Sequence, residues 1–375
     1  MKPRGLFFIH QFRPVANGAE LQAERLAIKL LKLGHPMQVL TQLRTPESLS
    51  EETIEGVPVH RVSFPLAYWI KHGVVDTFRY LVKRRHSYDV IHVHQAFGHA
   101  VVVVVVARCF GKKCIIKIAC AGTYGDLNVF SGFEGFKWAS QILRQADRVV
   151  AISREVEDEL LRWGFPAERI VCIPNGVDTG YFQRRYPLPE RDPVRFILVA
   201  RRTPQKGIDV ALHAAERLLE QEIGHRFEIR FYGIDYPEHD YQAMAQQLGV
   251  MEHVRFLPYT EPEAMLDVYQ TCNCLLLPSR GEGLSNVLLE AMAMELPIIA
   301  TRVSGTVDVV DDGENGILIP PDSSQALADA MSAIILNPDL ARSLGRKARQ
   351  KVIESFSLES VTHQYSALYQ QLYKS

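Results

Sequence analysis

Short apolar runs of strand length recur along the whole chain, each separated from the next by a longer amphipathic stretch. Residues 6–10, 37–41, 59–62, 90–92, 114–118, 149–152 and 170–173 supply such runs in the first half. Residues 196–199, 229–232, 254–257, 274–277, 298–301 and 316–319 supply them in the second. This alternation predicts βα units, and so parallel sheets covered by helices. Around Pro174, Gly176, Gly180, Pro187, Pro189 and Pro193 neither period is sustained, which places a domain boundary there. At 375 residues the chain exceeds what one core organises. The expected division is an α/β domain over 1–176, a linker over 177–193, and a second α/β domain over 194–357. Ligands of such folds bind at the carboxyl ends of strands, which predicts a cleft between two facing domains.

The run Val101–Val106 is ambiguous, because β-branched residues favour strands. Its place after the strand ending near His94 requires a crossover, so a buried helix is expected. It is far short of the ~20 residues of a membrane span, and residues 6–9 are too few for a signal-peptide core. The expectation is a chain that is soluble, or at most peripheral on the inner face of a membrane. The six cysteines have no CxxC spacing and read as reduced, buried thiols of a cytoplasmic protein.

Forty-two basic and 43 acidic residues leave a net charge of -1, which gives no global field for holding nucleic acid. No GxGxxG, GxxxxGK[ST] or HExxH motif is present, so dinucleotide oxidoreductase, P-loop and zincin readings lack their chemistry. No Asp-x-Asp pair occurs to clamp a divalent ion, and no metal or cofactor site is expected.

Three stretches carry chemistry. In the first, an apolar strand breaks at Pro278-Ser-Arg-Gly-Glu-Gly-Leu-Ser-Asn and runs into a helix. Gly281 and Gly283 permit close backbone approach, and the amides of Leu284, Ser285 and Asn286 open the helix as an anion site. Glu282 in the loop and Glu290 one turn into the helix can accept hydrogen bonds from sugar or ribose hydroxyls. A solvated turn residue and a dipole-favoured helix residue are the plain alternatives. The second stretch, Val199-Ala-Arg-Arg-Thr-Pro-Gln-Lys-Gly, puts Arg201, Arg202 and Lys206 after a strand, where guanidinium and ammonium groups can grip phosphate. Solvated surface cations are the alternative. The third is the turn Phe12 to Glu20, where Asn17 and Gly18 tolerate positive φ and their amides can bend toward an anion or simply cap a helix.

These stretches, with Gly34-His35, Ile173-Pro-Asn-Gly-Val-Asp178, Leu296-Pro-Ile-Ile-Ala-Thr301 and Asp312-Gly-Glu-Asn-Gly316, resemble the retaining family 4 glycosyltransferases of GT-B fold over nearly the whole chain. The resemblance implies an N-terminal acceptor-side domain, a C-terminal nucleotide-sugar domain, and a last helix, 358–375, that returns to the first domain. It also implies a donor of UDP, GDP or ADP type, a sugar or lipid-linked glycan as acceptor, and a role in cell-surface polysaccharide synthesis. Arg201 and Lys206 would hold the diphosphate, Glu290 the ribose and Glu282 the sugar, with the amides from Gly283 to Asn286 supporting them. The base would lie against the segment of Arg255 and Leu257. On this division of labour Glu282→Gln would leave nucleoside-diphosphate affinity nearly unchanged. Fixed cations at the leaving diphosphate would do the work of a metal ion.

Three positions depart from the family pattern: Asn17 and Glu295 stand where glycine is usual, and Ala121 where many members carry histidine. Thr123 and Asp126 are candidates to replace that histidine. Its loss also motivates the alternative of a GT-B homologue that binds sugar nucleotides without transfer, or a hydrolase or epimerase. Separately, Tyr68-Trp-Ile-Lys71-His72 and Arg79 to His86 mix aromatic and basic residues in a manner suited to anionic lipid, or to a plain solvated helix.

Overall fold

The computed structural model describes residues 2–13, 18–42, 49–62, 72–132, 135–187, 189, 192–221, 226–236 and 238–374. The chain divides into two compact units, residues 1–176 with 358–375, and residues 177–357. The first unit begins β1 (Gly5–Phe8), α1 (Gly18–Lys32), β2 (Met37–Gln42), β3 (Glu51–Ile54), β4 (Val57–Val62) and α2 (His72–Lys83). It continues through β5 (Val90–His94), α3 (Gly98–Cys109), β6 (Lys113–Ile118), α4 (Asp126–Ser131), α5 (Phe136–Leu143), β7 (Arg148–Ala151), α6 (Arg154–Arg162) and β8 (Ile170–Cys172).

The second unit holds β9 (Val194–Val199), α7 (Ile208–Leu219), β10 (Phe227–Tyr232), α8 (Tyr241–Gln247), β11 (Val254–Leu257), α9 (Met265–Gln270) and β12 (Cys274–Leu277). After these come α10 (Asn286–Ala293), β13 (Ile298–Thr301), α11 (Ser304–Val307), β14 (Ile317–Ile319), α12 (Ser324–Leu336) and α13 (Pro338–Ser355). The last helix, α14 (Leu358–Lys374), belongs to the first unit.

Both sheets are doubly wound. The first runs β3-β4-β2-β1-β5-β6-β7-β8 and the second β11-β10-β9-β12-β13-β14. Strand order reverses between β1 and β5 in one and between β9 and β12 in the other, the two positions where loops diverge and ligands fit. The second sheet is parallel throughout, but β3 pairs antiparallel with β4 in the first. Sequence patterning misses β3 because Glu51-Glu52-Thr53-Ile54 lies at the sheet edge with its side chains half or fully exposed, so no apolar run marks it.

In the first unit, Phe7, Val39, Val59, Val90, Ile115 and Val150 form one sheet face packed against α1 and α14. Helix α14 presents Val361, Tyr365, Leu368, Tyr369 and Leu372, spaced to share one side of a 3.6-residue period. Burial of each such side chain stabilises the unit by about 1.5–3 kcal/mol. The valine run forms α3, buried on most sides, with Val105 on its outer edge.

Residues 177–184, expected as linker, instead pack as part of the second unit. Phe182 is fully buried against Tyr269, and Arg184 donates to Met294 O at 3.0 Å and Cys272 O at 3.2 Å. The thiols also depart from expectation. Cys114, Cys272 and Cys274 are buried, but Cys109 and Cys172 are exposed, because they fall at a helix end and on an edge strand.

Candidate functional site

The reversal point of the second sheet brings two loops together, residues 200–207 after β9 and 278–285 after β12. Gly207 adopts a left-handed conformation (φ 66°) at the start of α7, and a Cβ there would collide with Pro278 O, so only glycine lets the loops touch. The backbone N–H of Arg280 donates to Gln205 O at 2.8 Å, and Gln205 Nε2 donates to Gly281 O at 2.9 Å. The Arg280 guanidinium bonds Pro204 O, both oxygens of Asp209 (3.0 and 2.7 Å) and Asp322 (2.6 Å). From the other side α11 approaches so closely that a Cβ on Gly305 would strike Gly283 O.

Within this frame Lys206 Nζ lies 2.7 Å from Glu282 Oε1, to which Ser279 Oγ also donates at 2.7 Å. The Glu282 side chain is 8% exposed and that of Lys206 17%. Glu290, one turn into α10, is buried and accepts a hydrogen bond from Tyr269 OH at 3.1 Å. Ser285 caps α10, accepting from Leu288 N, with Gly283 and Leu284 leading into it. Arg201 is exposed and its guanidinium has no partner among the described residues. The arrangement therefore offers one solvent-facing cation, a cation already paired with a carboxylate, and a second carboxylate held by a tyrosine.

Arg202, grouped with the phosphate cations by sequence, is turned inward. Its guanidinium pairs with Asp235, donates to Leu257 O and, at 3.0 Å, to Phe231 O, and stacks 5.3 Å over the Phe256 ring. The chain turns tightly at Arg202, with the Thr203 N–H donating to Arg201 O at 2.8 Å and the Arg202 N–H to Ile234 O at 3.0 Å, so that Arg202 is buried while Arg201 stays exposed. Arg202 clamps the carboxyl ends of β10 and β11. On β11, Arg255 is largely exposed with Glu228 3.7 Å away, and the Leu257 carbonyl is engaged by Arg202. Ser279, Tyr269, Gln205 and Arg280 escaped the sequence reading. Three of them lie in or beside the glycine loop, where a polar residue invites suspicion, while nothing local marks Tyr269.

In the first unit Gly18 opens α1, and Asn17 lies outside the described residues. Thr123 is exposed in the turn Gly122–Tyr124. Asp126 is buried, and its Oδ2 accepts from Ala119 N at 2.9 Å. Burial pushes its carboxyl up to about 7, opposed by hydrogen bonds from the Ala119 and Ala96 amides. Ala121 is buried, and the Gly122 amide beside it donates to Glu159 at 2.6 Å. The carboxylates of Asp126 and Glu159 thus hold the backbone of this loop.

A second polar group gathers at the carboxyl ends of β5 and β6, beneath α14. His92 and His94 stack at 4.6 Å, His92 Nδ1 is 3.2 Å from Tyr369 OH, and Lys117 Nζ donates to Asn175 Oδ1 at 2.8 Å. Burial pushes both histidines well below their ordinary range and Lys117 down to about 7. Among the described residues no set of three His, Cys, Asp or Glu side chains is placed to hold a metal ion.

Two family models match successive halves of the chain: Glycosyltransferase Family 4 over residues 16–181 and Glycosyl transferases group 1 over residues 182–351. The putative colanic acid biosynthesis glycosyltransferase WcaL of Salmonella typhimurium is 32% identical over 240 residues, 61% of this chain and 58% of that protein. This chain thus spans little more than half the length of that relative. Sucrose-phosphate synthase of Thermosynechococcus elongatus superposes with a TM-score of 0.85 at 21% identity, over 100% of both chains. Anabaena HepE in complex with UDP-glucose superposes with a TM-score of 0.79 at 19% identity, over 98% of this chain and 100% of that one. Sequence models over both halves and structural likeness over the full length agree, and the chain belongs to the group 1 and family 4 glycosyltransferases, with the GT-B fold.

Proposed function

We propose that the protein transfers a sugar from a nucleoside-diphosphate donor to a glycan acceptor, with retention of anomeric configuration and without a metal ion. The observation that carries this reading is the grouping of Lys206, Glu282 and Glu290 with the α10 N-terminus at the reversal point of the second sheet. Breaking the glycosidic bond puts negative charge on the departing diphosphate, and Arg201, Lys206 and the helix amides are fixed charges that stabilise it. Glu290 takes the ribose and Glu282 the sugar hydroxyls, the first unit holds the acceptor, and the donor is consumed as substrate with no separate cofactor. HepE in complex with UDP-glucose and the colanic acid relative support a sugar-nucleotide donor and a role in polysaccharide synthesis, and a cytoplasmic location is part of the proposal.

No helix among the described residues is long and apolar enough to cross a membrane. Peripheral contact is proposed through α2, which exposes Val75 and Phe78 beside Arg79, with Lys83 following. Residues 68–71 of the expected lipid-facing stretch lie outside the described ones.

Incubation with UDP-, GDP- and ADP-sugars and a panel of glycan acceptors, in EDTA, tests the reading. A disaccharide product of retained configuration is expected. Release of free sugar with every acceptor favours the hydrolase alternative, for which Ala121 in place of a histidine is the motive. Complete loss of transfer in EDTA, restored by Mg²⁺, overturns the metal-free mechanism.

A further inference from the structure

Lys206 and Glu282 are placed by the proposed function on two different parts of the donor, yet here they hold each other. Their 2.7 Å contact is almost shut off from water, since the two side chains are 17% and 8% exposed. Among the described residues Glu282 keeps only the Ser279 hydroxyl, at 2.7 Å on the same oxygen, once Lys206 leaves. Removing one partner from a buried ion pair leaves a charge without compensation, and that cost is charged to whatever removes it.

We infer that the Lys206–Glu282 pair makes this site select the intact sugar nucleotide over the nucleoside diphosphate it releases. The inference rests on the proposed function, and adds to it a coupling between the two subsites. A diphosphate alone draws Lys206 to its oxygens and strands the Glu282 carboxylate beside Ser279. The complete donor does the same to Lys206 but presents sugar hydroxyls that donate to Glu282, so both charges stay satisfied. After transfer the sugar has gone, Glu282 competes for Lys206 again, and the spent nucleotide is loosened. Product departure is therefore assisted by the same carboxylate that recognises the substrate.

The consequence reverses the expectation that Glu282 is silent toward the nucleotide. Glu282→Gln removes the competitor for Lys206, so inorganic pyrophosphate, UDP, GDP and ADP should bind tighter. The expected gain is about tenfold, the lower end of the worth of one charge-assisted hydrogen bond. UDP-glucose, GDP-mannose and ADP-glucose should bind no tighter, because each loses the Glu282 acceptor in exchange. In a Lys206→Met background the Glu282→Gln gain should vanish. Calorimetric titration of wild type, both single variants and the double variant reads the coupling directly. Glu282→Asp, which shortens the reach to Lys206 while keeping the charge, repeats the test with less change to the buried loop. Tighter diphosphate binding in Glu282→Gln and Glu282→Asp, dependent on Lys206, supports the inference. Unchanged or weaker diphosphate binding in both, while Lys206→Met alone loses affinity, overturns the coupling and leaves the assignment of Lys206 standing. Diphosphate binding that ignores Lys206→Met overturns both.

Discussion

Two polar clusters, the loops after β9 and β12 in the second unit and the His92–Lys117 group in the first, hold their charged side chains by opposite means, although elsewhere in the first unit Arg61 is paired with Glu52 and Arg4 with Asp89. In the second unit every buried or half-buried cation near the loops is answered by a carboxylate: Arg202 by Asp235, Lys206 by Glu282, Arg280 by Asp209 and Asp322. In the first, Lys117 is 5% exposed and bonds a neutral amide, with no carboxylate partner among the described residues. His92 Nε2, His94 Nε2 and Tyr365 OH, all buried, have no hydrogen-bond partner among the described residues. Paired charges remain charged and can be exchanged for those of a ligand. Unpaired ones shed their charge, so their protonation follows pH. The proposed diphosphate charges therefore belong to the paired cluster of the second unit, and the groups whose protonation shifts with pH to the His92–Lys117 cluster of the first.

The largest effect that tests this contrast is on turnover. Arg201→Ala and Lys206→Ala should each lower kcat/KM by about 10²-fold or more, since each removes a charge placed where negative charge develops. Steady-state kinetics with the preferred donor measures it, and wild-type turnover by either variant would mean that the cations serve only the fold.

Next in size is the fate of two buried cations. Arg202→Met should destabilise by about 2–4 kcal/mol, because it removes the buried guanidinium from the Phe231 and Leu257 carbonyls, the latter keeping only the Gly233 N–H at 3.3 Å, and leaves Asp235 without its cation. Lys117→Met loses one neutral-acceptor hydrogen bond and should cost no more than about 1 kcal/mol at pH 7. Denaturant unfolding compares them, and equal costs would erase the distinction between the clusters.

The pH dependence of stability separates two buried groups of the first unit. The Asp126 carboxyl, at about 7 when folded against an ordinary 3.8, makes the folded chain bind more protons across that window, so its contribution to stability is lost as pH rises through it. Asp126→Asn should therefore match wild type near pH 4 and gain on it steadily toward pH 8 in thermal midpoint. Lys117 has the opposite sign: folded at about 7 against 10.5, it favours folding increasingly as pH climbs between those values. Lys117→Met should lag wild type progressively from pH 7 to 10. A pH-independent difference for both variants would show that these groups keep their ordinary protonation.

The smallest effect concerns Glu295, which follows α10 with φ 58°. A left-handed conformation disfavours a side chain, and Glu295→Gly should raise stability by about 1 kcal/mol. Loss of the 3.7 Å contact to Arg349 takes little from that gain, since the Glu295 side chain is 38% exposed. A fall in the urea midpoint would show that the ion pair outweighs the backbone strain.

Much of this was legible in the residues. Apolar runs located thirteen of the fourteen strands among the described residues, most of which, such as β1, β5, β12 and β13, are buried on both faces and so have no polar positions to obscure them. The one it missed, β3, is exposed and hydrophilic. The helical state of the valine run followed from the need for a crossover, against its local propensity. Gly281, Gly283, Glu282 and Glu290 stood out as a glycine loop running into a helix, a feature that a local sequence carries, whereas Glu295 was marked only by its departure from the pattern of the family resembled.

What the sequence by itself determined is the repeating βα pattern, the location of the two loops proposed to face the donor phosphates and the types of group they bring, all properties of residues near one another in the chain. Only the tertiary structure decided that Arg202 turns inward, that Tyr269 reaches Glu290 and that Lys206 is spoken for by Glu282, 76 residues away. Which charge answers which is set by how strands β9 and β12 are laid side by side, and side-chain type carries no record of that neighbour.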